Sequence, residues 1–265
     1  MILTSENYYS KEANIEYMSV SQFKDFNGTY GKMPCEFSAL EKMHGRWEDS
    51  KTTALLVGGY VDAYFEGSLD KFKEDNPEVF TLGGDLRANF KKADNIIKRI
   101  ERDDYFMKYL SGKKQVIMTF EMFDSKWKIK MDSYLSGTAI VDLKIVKSIT
   151  KPEWVRDFGY LDFIRYWGYD IQGAVYQKGV ELVTGEKLPF YIAAATKEEE
   201  PDIQIIHVTQ NYLDEALSMV EADMPRTLRV KNGEEPPDKC ELCDCCKHNR
   251  ILTAPITISE LVDRI

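Results

Sequence analysis

Asp132, Asp142 and Lys144 are ionisable residues set close together in an apolar stretch. The chain reads Lys130-Met131-Asp132-Ser133-Tyr134, a turn at Ser136-Gly137, then Ala139-Ile140-Val141-Asp142-Leu143-Lys144. Alternate residues of a strand share a face, so Asp142 and Lys144 point the same way. A carboxylate and an ammonium among Ile140, Val141, Leu143 and Ile145 are costly unless they are paired or bind a metal. Phosphodiester hydrolysis needs such a set: carboxylates to hold one or two Mg2+ or Mn2+ ions, and a lysine to orient water or neutralise charge. An acid followed two residues later by lysine is also a common exposed salt bridge, so context must decide.

The elements that would position these groups can be read outward from them. Gln115 to Phe123 and Lys126 to Leu135 form a hairpin across Asp124-Ser125, and Thr138 to Val146 is a third strand. Leu188 to Ala195 and Ile203 to Val208 add two more, separated by the charged loop Lys197 to Asp202. Ser19 or Ser21 caps a short helix through Phe26, and a second helix follows Pro34-Cys35. Ala54, Leu55, Val57, Val61, Tyr64 and Phe65 mark a largely buried helix from Thr52, with Gly58-Gly59 inside it. Gly84 to Lys108 reads as one long amphipathic helix, Pro152 opens another, and Asp162 to Thr184 and Gln210 to Lys231 follow. The order implies one α/β domain with a helical N-terminal annex over 1–112. A sheet core with inserted helices spans 113–208, and a C-terminal helix with a cysteine-rich tail spans 209–265.

The 265 residues carry a formal charge of -9, which excludes a protein that coats nucleic acid through bulk electrostatics. It does not exclude a nuclease, whose cation sites need local carboxylates. Lys91, Lys92, Lys98, Arg99 and Arg102, with Lys113 and Lys114, are either local nucleic-acid contacts or a solvated helix face. No apolar run is long enough to cross a bilayer and the first residues are too polar for a signal peptide, so a cytoplasmic protein without membrane partners is expected. No phosphate-cradling glycine motif is present. His44, His207 and His248 form no catalytic or helical zinc pattern.

Four pieces in order resemble the PD-(D/E)XK nuclease superfamily, in its RecB-like and phage-exonuclease (RecE-like) branch. They are Gly58-Gly59-Tyr60-Val61-Asp62, Met131-Asp132, Val141-Asp142-Leu143-Lys144 and Gln172-Gly173-Ala174-Val175-Tyr176. The resemblance implies a restriction-endonuclease-like α/β core, a central mixed sheet flanked by helices. It also implies a metal-dependent DNA exonuclease of phage or mobile-element recombination, acting on duplex ends or single strands beside a single-strand annealing protein. Asp132, Asp142 and the Leu143 carbonyl would then bind the cation, and Lys144 would act on the water or the phosphate. Gln172 and Tyr176, one helical turn apart, would touch DNA or orient Lys144, unless they are ordinary helix packing. Glu121 either lines the same cavity or pairs with Lys128 on the outer face. Two departures stand out: Asp62 replaces the usual histidine, although its oxygens still suit a hard cation, and Asp142 replaces the commoner glutamate. The alternative is an inactive nuclease fold that binds DNA or regulates.

Cys240-x-x-Cys243-x-Cys245-Cys246 is dense for a reducing compartment and points to metal ligation. With Cys35 far upstream, the set resembles the iron-sulfur nucleases of the same branch. Cys35, Cys240, Cys243 and Cys246 would hold a [4Fe-4S] cluster, with Cys245 spare. The same thiolates suit a tetrahedral Zn2+ site, with His248 as a substitute ligand, and a metal-free cysteine set is the third reading.

Overall fold

In the computed structural model, which describes residues 1–262, three short helices come first: α1 (Lys11–Glu16), α2 (Val20–Asn27) and α3 (Glu36–Met43). Ser19 opens α2 with a reciprocal capping box to Gln22. Next come α4 (Thr53–Glu66), α5 (Leu69–Asp75), α6 (Lys92–Glu101) and α7 (Asp104–Tyr109). Strands β1 (Val116–Met122), β2 (Ser125–Met131), β3 (Ser133–Leu135) and β4 (Ala139–Val146) follow. A second hairpin, β5 (Glu153–Val155) and β6 (Gly159–Leu161), leads into α8 (Phe163–Tyr166) and α9 (Tyr169–Thr184). The order ends with β7 (Phe190–Thr196), β8 (Ile203–Val208), α10 (Gln210–Lys231), α11 (Asp244–His248) and α12 (Ile258–Val262).

The central sheet has the order β3-β4-β7-β8, with β4 and β7 parallel and both outer pairings antiparallel. It is a mixed sheet covered on both faces, which is why β4 and β7 read as nearly unbroken apolar runs. Val141, Leu143, Ala193 and Ala195 pack with Val57 and Val61 of α4 and Ile96 and Ile100 of α6. Ile140, Ile192 and Ala194, on the opposite face, pack with Ala174 and Val175 of α9 and Leu213 and Val220 of α10. Asp142 and Lys144 share the face of Ile140 by strand alternation, and α9 covers that face.

The strand run from Lys126 to Leu135 divides at Asp132. Among the strands β2 pairs with β1, ending at Met131 opposite Val116, whereas β3 joins the central sheet with Ser133 opposite Val141. The N-terminal segment lies along β2, exchanging Met18 N–H to the Lys126 carbonyl at 2.7 Å and Lys128 N–H to the Met18 carbonyl at 2.8 Å. α9 passes so close to β1 that a methyl group on Gly179 would stand 2.2 Å from the Phe120 ring.

Three helix boundaries differ from expectation. The stretch Gly84 to Lys108 becomes α-helical only at Lys92, after a single 3-10 turn at Ala88–Phe90, and is then divided, because Asp103 leaves the helix and caps α7 by accepting the Phe106 N–H at 2.9 Å. The segment after Pro152 is a β-hairpin, turned through Asp157 at φ 70° and Gly159 at φ 78°. Trp154 and Tyr160 face each other across it, and such aromatic cross-strand pairing outweighs the helix-opening tendency of proline. The helix from Asp162 is interrupted at Gly168, which takes the left-handed conformation at φ 62° and re-aims α9.

Candidate active site and metal centre

Asp132 occupies the bend between the two sheets, where it has no ladder partner, so its side chain is free to turn inward. Its Oδ2 accepts the Leu143 N–H at 3.0 Å, tying the bend to β4. Asp142 is buried on β4, where its Oδ1 accepts Gln172 Nε2 at 2.6 Å and its Oδ2 is in ion-pair contact with Lys144 Nζ. Asp62 reaches the same space from α4, and its Oδ1 is shielded from solvent without a hydrogen-bond partner. Tyr176, one turn beyond Gln172, donates to the Lys130 carbonyl at 3.0 Å and holds the strand just before Asp132. Gln172 thus supports Asp142 and Tyr176 supports β2; Lys144 is held by Asp142 and by the Tyr169 ring, 5.1 Å from its Nζ.

The electrostatics record an excess of buried negative charge. Burial pushes Asp62 up to about 7, with Lys144 pulling the other way and Glu66 and Asp142 adding repulsion. Asp132 is raised well above the ordinary carboxylate range, by burial first and by Asp142 second. Burial alone would lower Lys144, but Asp142 and Asp132 hold it above its usual value. Three carboxylates facing one ammonium are short of positive charge, and an unpartnered buried oxygen is costly. A hard divalent cation with oxygen ligands fits that donor set. The three aspartates line a common cavity of about 240 Å³, together with Leu143, Lys144, Gln172 and Tyr176.

The carboxylates are not drawn tight around a point. Among the described residues, only the cysteine quartet brings three or more ligand atoms within 4.8 Å of one another. Asp142 is instead drawn toward Lys144 and Gln172, the contacts that satisfy it in this structure.

Several residues of the cavity carried no sequence signal of their own. Tyr8, Tyr9, Lys24, Glu66, Lys128 and Lys130 all line it. Lys128 is fully buried, donating to the Tyr8 carbonyl and to Asn14 Oδ1, and burial lowers it to about 8. Lys24, lowered to about 8 by burial and by Lys144, borders this cavity and a larger one of about 530 Å³. The larger cavity adds Lys51, Gly58, Gly59 and Lys197, and the two share Asp62, Leu143, Lys144 and Gln172. The acidic residues therefore stand at the junction of two lysine-bearing hollows. Glu121 is not part of either. It is exposed and opposite Lys126 on the β1–β2 hairpin, while Thr119 is the residue opposite Lys128, so it faces outward as one expectation had it, with Lys126 in place of Lys128.

The second centre is the thiol quartet Cys35, Cys240, Cys243 and Cys246. Sγ separations are 3.5 Å for Cys35–Cys246, 3.8 Å for Cys35–Cys243 and 4.0 Å for Cys240–Cys246. Backbone N–H groups of Ser38, Cys243 and Cys246 point at the sulfurs of Cys35, Cys240 and Cys243. Such donors favour thiolates, while burial still raises the Cys35 and Cys246 thiols. At Cys240 burial is opposed by the N–H groups of Cys243 and Leu242, and the thiol falls to about 7. Cys245 points away from the quartet toward Asn249, and His248 packs against the Trp47 ring at 5.4 Å.

A mixed sheet between helical layers, with an aspartate at a strand bend and an Asp-x-Lys strand beside it, defines a PD-(D/E)XK fold. Residues 19–249 match the family model described as a PDDEXK-like domain of unknown function, and the chain belongs to that family. It is also similar to a crystal structure from Eubacterium rectale described as a "putative exonuclease", at 72% identity over 100% of both chains and a TM-score of 0.97. No curated protein matches the sequence. Among the described residues no helix is long and apolar enough to cross a membrane.

Proposed function

We propose that this chain is a divalent-metal-dependent deoxyribonuclease working as an exonuclease. The observation that carries the reading is the convergence of Asp62, Asp132, Asp142 and Lys144 on one cavity, with a buried Asp62 oxygen left unpartnered. A bound Mg2+ or Mn2+ supplies Lewis-acid neutralisation of the phosphodiester. Asp132 and Asp142 hold the cation, joined by Asp62 and the Leu143 carbonyl. Gln172 fixes the orientation of Asp142 from α9. Lys144 orients the water or meets the phosphate's charge, and Tyr176 keeps the Asp132 bend in place. Lys24 and Lys130, which line the same cavity, offer positive charge to neighbouring phosphates. The exonuclease assignment draws on the Eubacterium rectale neighbour's description. A role in phage or mobile-element recombination, with a single-strand annealing partner, rests on the branch resemblance alone.

The cysteine quartet is proposed as a structural metal site joining residue 35 to the C-terminal region. A tetrahedral Zn2+ with Zn–S bonds of about 2.3 Å places its sulfurs about 3.8 Å apart, and the Sγ separations of 3.5, 3.8 and 4.0 Å bracket that value. The Cys240, Cys243, Cys246 run also has the two-residue spacing of bacterial iron-sulfur motifs, so a [4Fe-4S] cluster is the second reading. Metal analysis and a visible absorption spectrum of anaerobically purified protein separate the two.

The activity is tested with purified protein, linear DNA and Mn2+ or Mg2+. Degradation is expected, and Lys144→Ala and Asp142→Asn are expected to remove it while the circular dichroism spectrum is retained. Undiminished cleavage by either folded variant overturns the proposed site, and no cleavage by the parent chain favours an inactive DNA-binding or regulatory fold.

A further inference from the structure

The β5–β6 hairpin stands apart from both other sheets. Its inner face carries Leu161, which is buried, whereas its outer face carries the cross-strand pair Trp154 and Tyr160, 65% and 71% exposed. Their ring centroids are 5.2 Å apart. Strand alternation ordinarily puts polar residues on such an outward face. At the turn, Phe158 is 61% exposed and packs edge-on against Tyr30 at 4.7 Å. Scattered exposed apolar residues are unremarkable, but two exposed aromatic pairs on one short hairpin and the loop beside it call for a use.

This surface is joined to the acidic cavity by short, specific contacts. The Gly31 N–H, next to Tyr30, donates to the Tyr166 carbonyl at 2.8 Å, and Lys24 Nζ donates to the neighbouring Trp167 carbonyl at 3.2 Å. Lys24 borders both hollows at the catalytic centre. Exposed Lys151 and Arg156 flank the aromatic pair along the chain, with Glu153 and exposed Asp157 set among them. Exposed aromatic rings, with Lys151 and Arg156 beside them and Lys24 between them and a phosphate-cleaving centre, match the needs of an unpaired strand, whose bases stack while its backbone meets positive charge.

We propose that the outer face of this hairpin, with Tyr30, is a stacking platform for the bases of single-stranded DNA that runs on past Lys24 to the cleavage site. The inference rests on the nuclease reading for its direction of travel, but the platform itself is testable by binding alone. It makes the hairpin a substrate-positioning element and single-stranded DNA the substrate form it selects.

The test uses the full chain in EDTA with a fluorescein-labelled oligothymidylate and an abasic oligomer of equal length and charge, read by anisotropy. The parent chain is expected to prefer the oligothymidylate. The double variant Trp154→Ala/Tyr160→Ala is expected to bind it at least about tenfold more weakly, since each stacked base contributes on that scale. Trp154→Phe/Tyr160→Phe keeps flat rings and is expected to keep affinity. Thymidine 5′-monophosphate p-nitrophenyl ester, too short to reach the hairpin, should be cleaved equally by parent and alanine variant in Mn2+. Equal affinity of parent and alanine variant for oligothymidylate, or no preference over the abasic oligomer, overturns the platform even if cleavage is normal. Change of a dimer to a monomer on sedimentation with unchanged DNA affinity overturns it in favour of a face between copies. A parent chain that cleaves nothing but loses oligothymidylate binding in the alanine variant defeats the nuclease reading and leaves the platform standing.

Discussion

Replacing Asp62 by asparagine separates the catalytic value of this carboxylate from its cost to folding. Burial raises the group from its ordinary 3.8 to about 7 in the folded chain, and the unfolded chain returns it to the ordinary value. A folded value above the unfolded one means that the associated stability is complete below pH 3.8 and is lost as pH rises through about 7. Between pH 5 and pH 7 the folded parent holds a proton that the unfolded chain has released, and at 1.36 kcal/mol per pH unit it loses about 2.7 kcal/mol over that interval. Only Oδ1 is fully shielded, so solvent at the rest of the side chain trims the loss to about 2 kcal/mol. Asparagine does not titrate. Its buried amide costs about 1–3 kcal/mol at every pH, so the absolute stability of the variant is uninformative and the change between two pH values carries the result. Urea unfolding in EDTA at pH 5 and pH 8 is expected to show Asp62→Asn gaining about 2 kcal/mol relative to the parent at the higher pH. A difference independent of pH, or one that moves against the variant, refutes the claim that Asp62 is held as a strained, metal-ready carboxylate.

Other consequences follow from the packing and the second centre. Gly179→Ala forces a methyl group against the buried Phe120 ring; overpacking outweighs the gain in helix propensity, and a loss of about 1–2 kcal/mol is expected in urea unfolding. Cys35→Ser removes one of four thiolates and with it the link from α3 to α11. Bound metal should fall below stoichiometric on elemental analysis, and stability should drop by about 3 kcal/mol, on the scale of a cross-link closing a long loop.

The central sheet was readable because β4 and β7 are apolar on both faces and bounded by turns, a pattern with few other solutions. Asp132, Asp142 and Lys144 were readable for the opposite reason, as charge where the pattern demands none. The boundaries that misled were local contests. Asp103 had the same helical spacing as its neighbours, and only its side-chain cap on Phe106 ends α6. Pro152 signals a helix start, yet the Trp154–Tyr160 pair across the turn decides for a hairpin. Tyr8, Tyr9 and Lys128 were invisible as site residues because they meet only through the pairing of the N-terminal segment with β2, more than a hundred residues away in sequence. Alternation predicts nothing about such a meeting. The sulfur separations likewise required coordinates, since cysteine spacing suits one ion or a cluster equally.

Titration calorimetry of Mn2+ into the EDTA-treated, dialysed protein tests the central claim most directly. Saturable binding is expected, with an apparent enthalpy that changes with buffer because Asp62 and Asp132 give up protons to the buffer as the cation binds. Asp132→Ala should weaken it at least about tenfold, the scale on which a lost ligand-sphere partner affects affinity. Absence of saturable Mn2+ binding, or binding that Asp132→Ala leaves unchanged, contradicts a cation site at these carboxylates.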